Sequence, residues 1–436
     1  MRLINVSVDS LVVESGFDKT VSNLTYEVSR WKDQFERQSS QLPPYAILSH
    51  RWVGEEVVYP DLKLVSKSQL QAPGPTNPVP KTAAGADENV GPDTVASVYK
   101  IAGACETVRA MNPEINHIWI DTVCINKQDI RELSAAMNSM FKWYQNSEVC
   151  YVYLFDVTWN AAEDPVGSHE QFRTSQWFER GWTLQELLAP RQVWFFDRDW
   201  RYMGTKEELA DDITQATGIS HEHLLRDFRT ASTAQKMGWL ARRRTTYPED
   251  ISYCALGLFN VFLDPRYGLG GEKEFLRLQR EIFIAGTAVG AQLDESLFAW
   301  TAHTIKSSGL LAPPPLCFLH AGDVLFEPGL VKSRQDYQAP PWRGIDMDEF
   351  GNIEIRVPWR PFKRFRAAMV IFGLAVFIVT AGLASVAYQN FHSSKRRTKN
   401  MHLINLNCWT RGPDGRLRTA DHGCTESRQN MASHRV

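Results

Sequence analysis

Between Tyr45 and Trp200, short apolar runs ended by polar residues alternate with longer stretches whose apolar positions recur every three to four residues. The runs "YAILS" (Tyr45–Ser49), "HIWIDTVCI" (His117–Ile125), "EVCYVYLFDV" (Glu148–Val157) and "QVWFFDRDW" (Gln192–Trp200) read as strands. The stretches "VASVYKIAGACETVRAM" (Val95–Met111) and "RELSAAMNSMFKWYQNS" (Arg131–Ser147) read as helices. A third helix is predicted in "RGWTLQELLAP" (Arg180–Pro190), where a turn of about 3.6 residues puts Leu184, Leu187 and Leu188 on one stripe. Trp182 and Glu186, four residues apart, then share the opposite face, which burial of the leucines does not explain.

Strands separated by helices predict parallel pairing with right-handed crossovers and a sheet covered on both faces. In such folds ligands bind beyond the carboxyl ends of the strands. Those ends carry Ser49, His50, Arg51 and Trp52, then Asp121, Cys124 and Asn126, then Asp156 and Asp197. The Trp182–Glu186 face of the helix before the last strand is placed to border the same crevice. His50 is the acid/base candidate by location, or a phosphate contact with Arg51. Asp121 and Cys124 form a weaker nucleophile pair, with no histidine close in sequence.

Beyond Arg242 the pattern changes. "RRRTTYPEDISYCALGLFNV" (Arg242–Val261) predicts a helix start with Thr246 as N-cap, Pro248 in the first turn and Glu249 closing a capping box. "GEKEFLRLQREIFIAG" (Gly271–Gly286) follows as an amphipathic helix. Residues Val65–Thr94, rich in Pro, Gly, Asn and Ala, are expected to lack order, because they cannot bury enough apolar surface.

Ala367–Tyr388 carries no charge over the roughly 20 residues a membrane-spanning helix needs, with Lys363, Arg364 and Arg366 before it and Lys395, Arg396, Arg397 and Lys399 after. A transmembrane helix is the first expectation. A buried core helix, or an interruption between the strand-like "NIEIRVPW" and "MHLINLNCW", are the alternatives. Basic residues on both flanks leave orientation undecided.

Composition narrows the function classes. The 436 residues, 43% apolar and 22% charged, suit a globular chain of two or three domains. A net charge of -2 gives no general attraction to nucleic acid. Seven scattered cysteines without a CxxC pair argue against a disulfide framework and a zinc site, so no metal is expected. The opening "MRLINVSVDS" lacks an apolar signal-peptide core, so the bulk of the chain is expected on the cytosolic side. No glycine-rich phosphate loop supports a nucleotide triphosphatase.

"YAILSHRW", "WIDTVCINKQDIRELSAAMNSMFKWYQNSEVCYVYLFDV" and "RGWTLQELLAPRQVWFFD" resemble the three blocks of the fungal heterokaryon incompatibility (HET) domain. "RTTYPEDISYCALGLFNV" is similar to the region that follows it in many such proteins. The likeness covers Tyr45 to Glu281 apart from the proline-rich insertion, which is atypical, as is Val53 between Trp52 and Gly54. The resemblance implies a TIR-like, flavodoxin-like α/β fold in residues 1–241 with a core over 45–200. A mixed companion domain over 242–361, a transmembrane helix over 367–388 and a tail over 389–436 that is strand-like, then polar, would follow. It also implies an effector of non-self recognition that triggers cell death. By the distant likeness to TIR domains, Glu186 would be catalytic in NAD cleavage, NAD being substrate and not a resident cofactor. Trp182 and, more loosely, Ser49, His50, Arg51 and Trp52 would bind substrate by the same likeness, and Asp121 joins them by its position at a strand end. The competing expectation is a non-enzymatic module that self-associates or docks on another signalling chain at a membrane. With no nucleotide-binding or repeat domain in this sequence, control is expected from another chain or the membrane.

Overall fold

The computed structural model describes residues 1–6, 12–15, 42–52, 54, 56–59, 92–288, 291–301 and 311–326, with strands at 345–347, 353–355, 408–411 and 417–419. The chain divides into two compact units. The first takes Met1–Phe228, Arg243–Thr246 and Tyr253–Pro265, and the second takes Arg229–Arg242, Tyr247–Ser252 and Arg266–Val436. The chain therefore passes between them several times, not once near Arg242.

A seven-stranded sheet organises the first unit: β1 (Arg2–Asn5), β2 (Val12–Ser15), β3 (Tyr45–His50), β4 (His117–Trp119), β5 (Val149–Tyr153), β6 (Val193–Phe196) and β7 (Tyr202–Thr205), in the order β2-β1-β4-β3-β5-β6-β7. The four expected strands form its parallel centre, with Ala46 opposite Ile118, Ile47 opposite Cys150 and Val152 opposite Phe195. Their apolar runs suit this position because a parallel strand is covered on both faces. Every residue of β3 and β5 is buried. An all-parallel sheet was expected, and the sheet is mixed: β1 and β2 at one edge and β7 at the other run antiparallel to their neighbours. Four-residue edge strands have no long apolar run to mark them, and they shield the edges of the central four.

Five helical segments connect these strands: α1 (Pro92–Met111), α2 (Asp121–Cys124), α3 (Ile130–Gln145), α4 (Pro165–Arg173) and α5 (Thr183–Leu188), and α6 (Ala210–Thr217) follows β7. Asp129 caps α3, its side chain accepting from the Arg131 amide at 2.9 Å. Asp164 caps α4 through the Gly167 amide at 2.9 Å. Of Val65–Thr94, the last three residues belong to α1, and residues 65–91 lie outside the described residues, as does Val53. From β3 the chain goes to β4 on one side and then across to β5 on the other, so a topological switch point falls at the carboxyl end of β3. His50 closes that strand instead of starting the loop, and Asp121 opens the single turn of α2 instead of ending a strand.

In the second unit, α7 (Thr233–Leu240) carries a reciprocal capping box between Ser232 and Gln235. Helix α8 (Gly271–Thr287) falls where the amphipathic pattern predicts, with Phe275, Leu278, Ile282 and Phe283 buried. Two further sheets pair β8 (Val324–Phe326) with β11 (Cys408–Arg411) and β12 (Leu417–Thr419), and β9 (Ile345–Met347) with β10 (Ile353–Ile355). The predicted capping box at Thr246 does not form. The helical turn starts at Asp250, and Glu249 instead accepts from the amides of Gly268 and Gly270, each at 2.9 Å. Both glycines have positive φ, 86° and 90°, which turns their N–H groups onto one carboxylate oxygen without a Cβ clash.

Among the described residues no helix is long and apolar enough to cross a membrane. Ala367–Tyr388 lies outside the described residues.

Candidate functional site

Six consecutive buried residues make up α5, so it has no solvated face. It packs on both β3 and α3, which explains why the side opposite the leucines is covered too. Glu186 is 7% exposed, where the amphipathic reading placed it on an open cleft wall. Its carboxyl accepts a hydrogen bond from the Ser49 hydroxyl, and Ser49 in turn accepts from the Trp177 indole N–H at 2.9 Å. Trp177 is the aromatic bonded to this pair. Trp182, half-buried, sits at the N-cap of α5 without a side-chain capping bond.

The backbone that presents Glu186 is held at both ends. Thr183 donates to the Trp177 carbonyl at 2.7 Å, and the Arg243 guanidinium donates to the Arg180 carbonyl at 2.8 Å and to Thr183 Oγ1 at 2.9 Å. At the other end the Lys206 ammonium donates to the carbonyls of Leu187 (3.4 Å) and Pro190 (3.0 Å), a cation placed where a helix terminus is negative.

Burial pushes the Glu186 carboxyl up to about 8, with Asp121 adding to the rise and Ser49, Arg180 and Arg243 pulling against it. The group is thus mostly neutral at pH 7 and ionises within reach of physiological pH. Tyr144, which donates to the Leu48 carbonyl at 3.1 Å, is raised by burial and by the Glu186 charge beside it.

A second cluster adjoins this one. Asp121 accepts from Trp52 Nε1 at 3.0 Å and Lys127 Nζ at 3.2 Å, and its Oδ1 lies 3.6 Å from His50 Nε2. Burial opposes the charge on Asp121, but Lys127 and Arg180 hold the carboxyl well below the usual range. The Lys127 ammonium sits 3.5 Å from the centre of the Trp52 ring, and the Arg180 guanidinium 5.9 Å from it. Deeper in, Lys100 pairs with Glu56. Burial first, then the Lys100 charge, pushes His50 down to about 3, so its ring is neutral, and neither ring nitrogen has a hydrogen-bond partner among the described residues.

Of the residues singled out by sequence, Ser49 and Glu186 touch, and His50, Trp52 and Asp121 gather beside them. Arg51 turns its guanidinium over the Phe155 ring at 5.8 Å. Cys124 is buried with its thiol pushed up to about 12 by that burial, which removes it as a nucleophile. Sequence reasoning missed Trp177, Lys127 and Arg180. Lys127 had a signal, since it lies in the loop that leaves the Asp121 strand end; Trp177 had none.

Residues 45–171 match the family model described as heterokaryon incompatibility protein (HET). Over 256 residues the chain is 38% identical to vegetative incompatibility protein HET-E-1 of Podospora anserina, an alignment covering 56% of this chain and 16% of that protein. The chain thus spans less than a fifth of that relative's length. No solved structure matches with significance. Ser49, His50, Trp52, Asp121 and Lys127 fall inside the matched residues, and Trp177, Arg180 and Glu186 follow them. Residues 45–171 are thus similar to the heterokaryon incompatibility (HET) domain.

Proposed function

We propose that this chain acts in heterokaryon incompatibility as an effector of cell death, and that its HET domain does so by cleaving NAD at the crevice formed by Ser49 and Glu186. The observation that carries the reading is a buried carboxyl, raised to about 8, at the carboxyl end of the central strand. Perturbed groups at such a crevice are the usual mark of a reaction site. Water replaces nicotinamide on the ribose C1′: the C–N bond breaks with its electron pair on nicotinamide, a C–O bond forms, and one proton is released. Ionised Glu186 stabilises the oxocarbenium-like ribosyl centre and accepts that proton, as carboxylates do at glycosidic centres. Ser49 and Trp177 hold the carboxyl in place. The TIR-like part of this proposal rests on the Trp182–Glu186 spacing. The membrane part, a single-pass anchor with the HET domain facing the cytosol, rests on the sequence of Ala367–Tyr388.

The near-complete burial of Glu186 favours a second reading, in which the network is structural and the domain signals by self-association or by docking on another chain. Incubation of the full-length chain with NAD, scored by nicotinamide release, separates the two. Release by the wild-type chain that is lost in Glu186→Gln supports cleavage. No release leaves the docking module, and equal release by the variant removes Glu186 from the reaction.

A further inference from the structure

The Asp121 cluster has one cation more than its carboxylates neutralise. Lys100 pairs with Glu56 and Lys127 with Asp121, whereas the Arg180 guanidinium lies 5.9 Å from the centre of the Trp52 ring and has no carboxylate at ion-pair distance among the described residues. The Arg180 charge nonetheless acts on His50, Asp121, Lys127 and Glu186, so it belongs to the same cluster.

His50 presents the complementary deficit. Its side chain is 1% exposed and both ring nitrogens lack partners among the described residues, an arrangement that native proteins rarely leave unfilled. A neutral imidazole offers one N–H donor and one acceptor. Nε2 and Asp121 Oδ1, at 3.6 Å, stand too far apart to bond each other. A hydroxyl group set against both accepts from a ring N–H and donates to the carboxylate.

We infer that this cluster is the binding site for a phosphorylated sugar, with sugar hydroxyls against His50 and Asp121 and the phosphate against Arg180 beside Lys127. The inference rests on reading the β3 crevice as a ligand site and names the part of the substrate that the crevice holds. A guanidinium pairs with phosphate oxygens in a two-point geometry that an ammonium cannot offer, which suits Arg180 to the anion. The Trp52 ring, with Lys127 against it at 3.5 Å, serves to place the cations and not to stack on a base.

Isothermal titration of the full-length chain with ribose 5-phosphate, ribose and inorganic phosphate tests it. Ribose 5-phosphate is expected to bind at least about tenfold more tightly than either fragment. Arg180→Met reduces it to the affinity of ribose. Asp121→Asn and, as a second variant, His50→Gln reduce it to that of phosphate, with thermal melts checking that each variant folds. Ribose 5-phosphate binding no tighter than phosphate, or binding unchanged in folded Arg180→Met, overturns the inference. None of the three probes carries a nicotinamide bond. A chain that binds ribose 5-phosphate in this way but releases no nicotinamide keeps the site and loses the cleavage reading; one that cleaves NAD without binding the probe does the reverse.

Discussion

Ser49, at the end of the central parallel strand, donates its hydroxyl to Glu186, 137 residues further along the chain, and the pair is buried. A carboxyl in this position is neutral at low pH and carries a desolvated charge at high pH. Its behaviour with pH is therefore the most direct probe of the site.

Because the folded-state value of Glu186 is raised to about 8 from an ordinary 4.5, the folded chain holds this proton more tightly than the unfolded chain. Stability is unaffected by the group below pH 4.5, falls as pH rises toward 8, and is level above it. The full loss is on the order of 5 kcal/mol at most. Glu186→Gln removes that loss, so urea unfolding should find the variant close to wild type at pH 5 and more stable at pH 9. An equal difference at both values would show that Glu186 ionises in the folded chain as it does unfolded.

Ser49→Ala takes away the donor that pulls the Glu186 carboxyl down and the acceptor of the Trp177 indole. The expected cost is roughly 1 to 3 kcal/mol, since a buried N–H loses its partner. The fall of stability with pH should also continue to higher pH than in wild type. A midpoint that moves down instead would place Ser49 outside the electrostatics of Glu186.

Leu187, one residue beyond Glu186, is fully buried on the same helix. Leu187→Ala should cost roughly 2 to 5 kcal/mol at every pH, the loss of a buried side chain with a cavity left behind. The contrast with the pH-dependent effect of Glu186→Gln, read from the same unfolding curves, separates packing from ionisation on one helix.

Glu249 holds the amides of Gly268 and Gly270 in the second unit. Glu249→Ala leaves both without this acceptor and should lower stability by roughly 1 to 3 kcal/mol. Limited proteolysis should then cut at residues 266–270 faster than in wild type. An unchanged cutting rate would mean that the two glycines hold the loop alone.

What the chain's own pattern determined was the parallel centre. Apolar runs such as "YAILS" and "CYVY" can satisfy their burial only with cover on both faces, and helical spacing between them supplies that cover. The same logic put Ser49 at a strand end, and helical periodicity placed α8. The order of the strands, the antiparallel edges and the surroundings of Glu186 were decided only in three dimensions. Helical periodicity records which side of α5 is apolar, but whether its other side meets water depends on β3 and α3, distant in sequence. Thr246 and Glu249 have the spacing of a capping box, yet Glu249 found two better donors in a glycine loop about twenty residues away. Trp177 and Arg180 carry no local signature for the site, because a hydrogen bond or an ion contact across the sheet depends on distance in space, and residue spacing along a helix or strand encodes only the nearest turn or pleat.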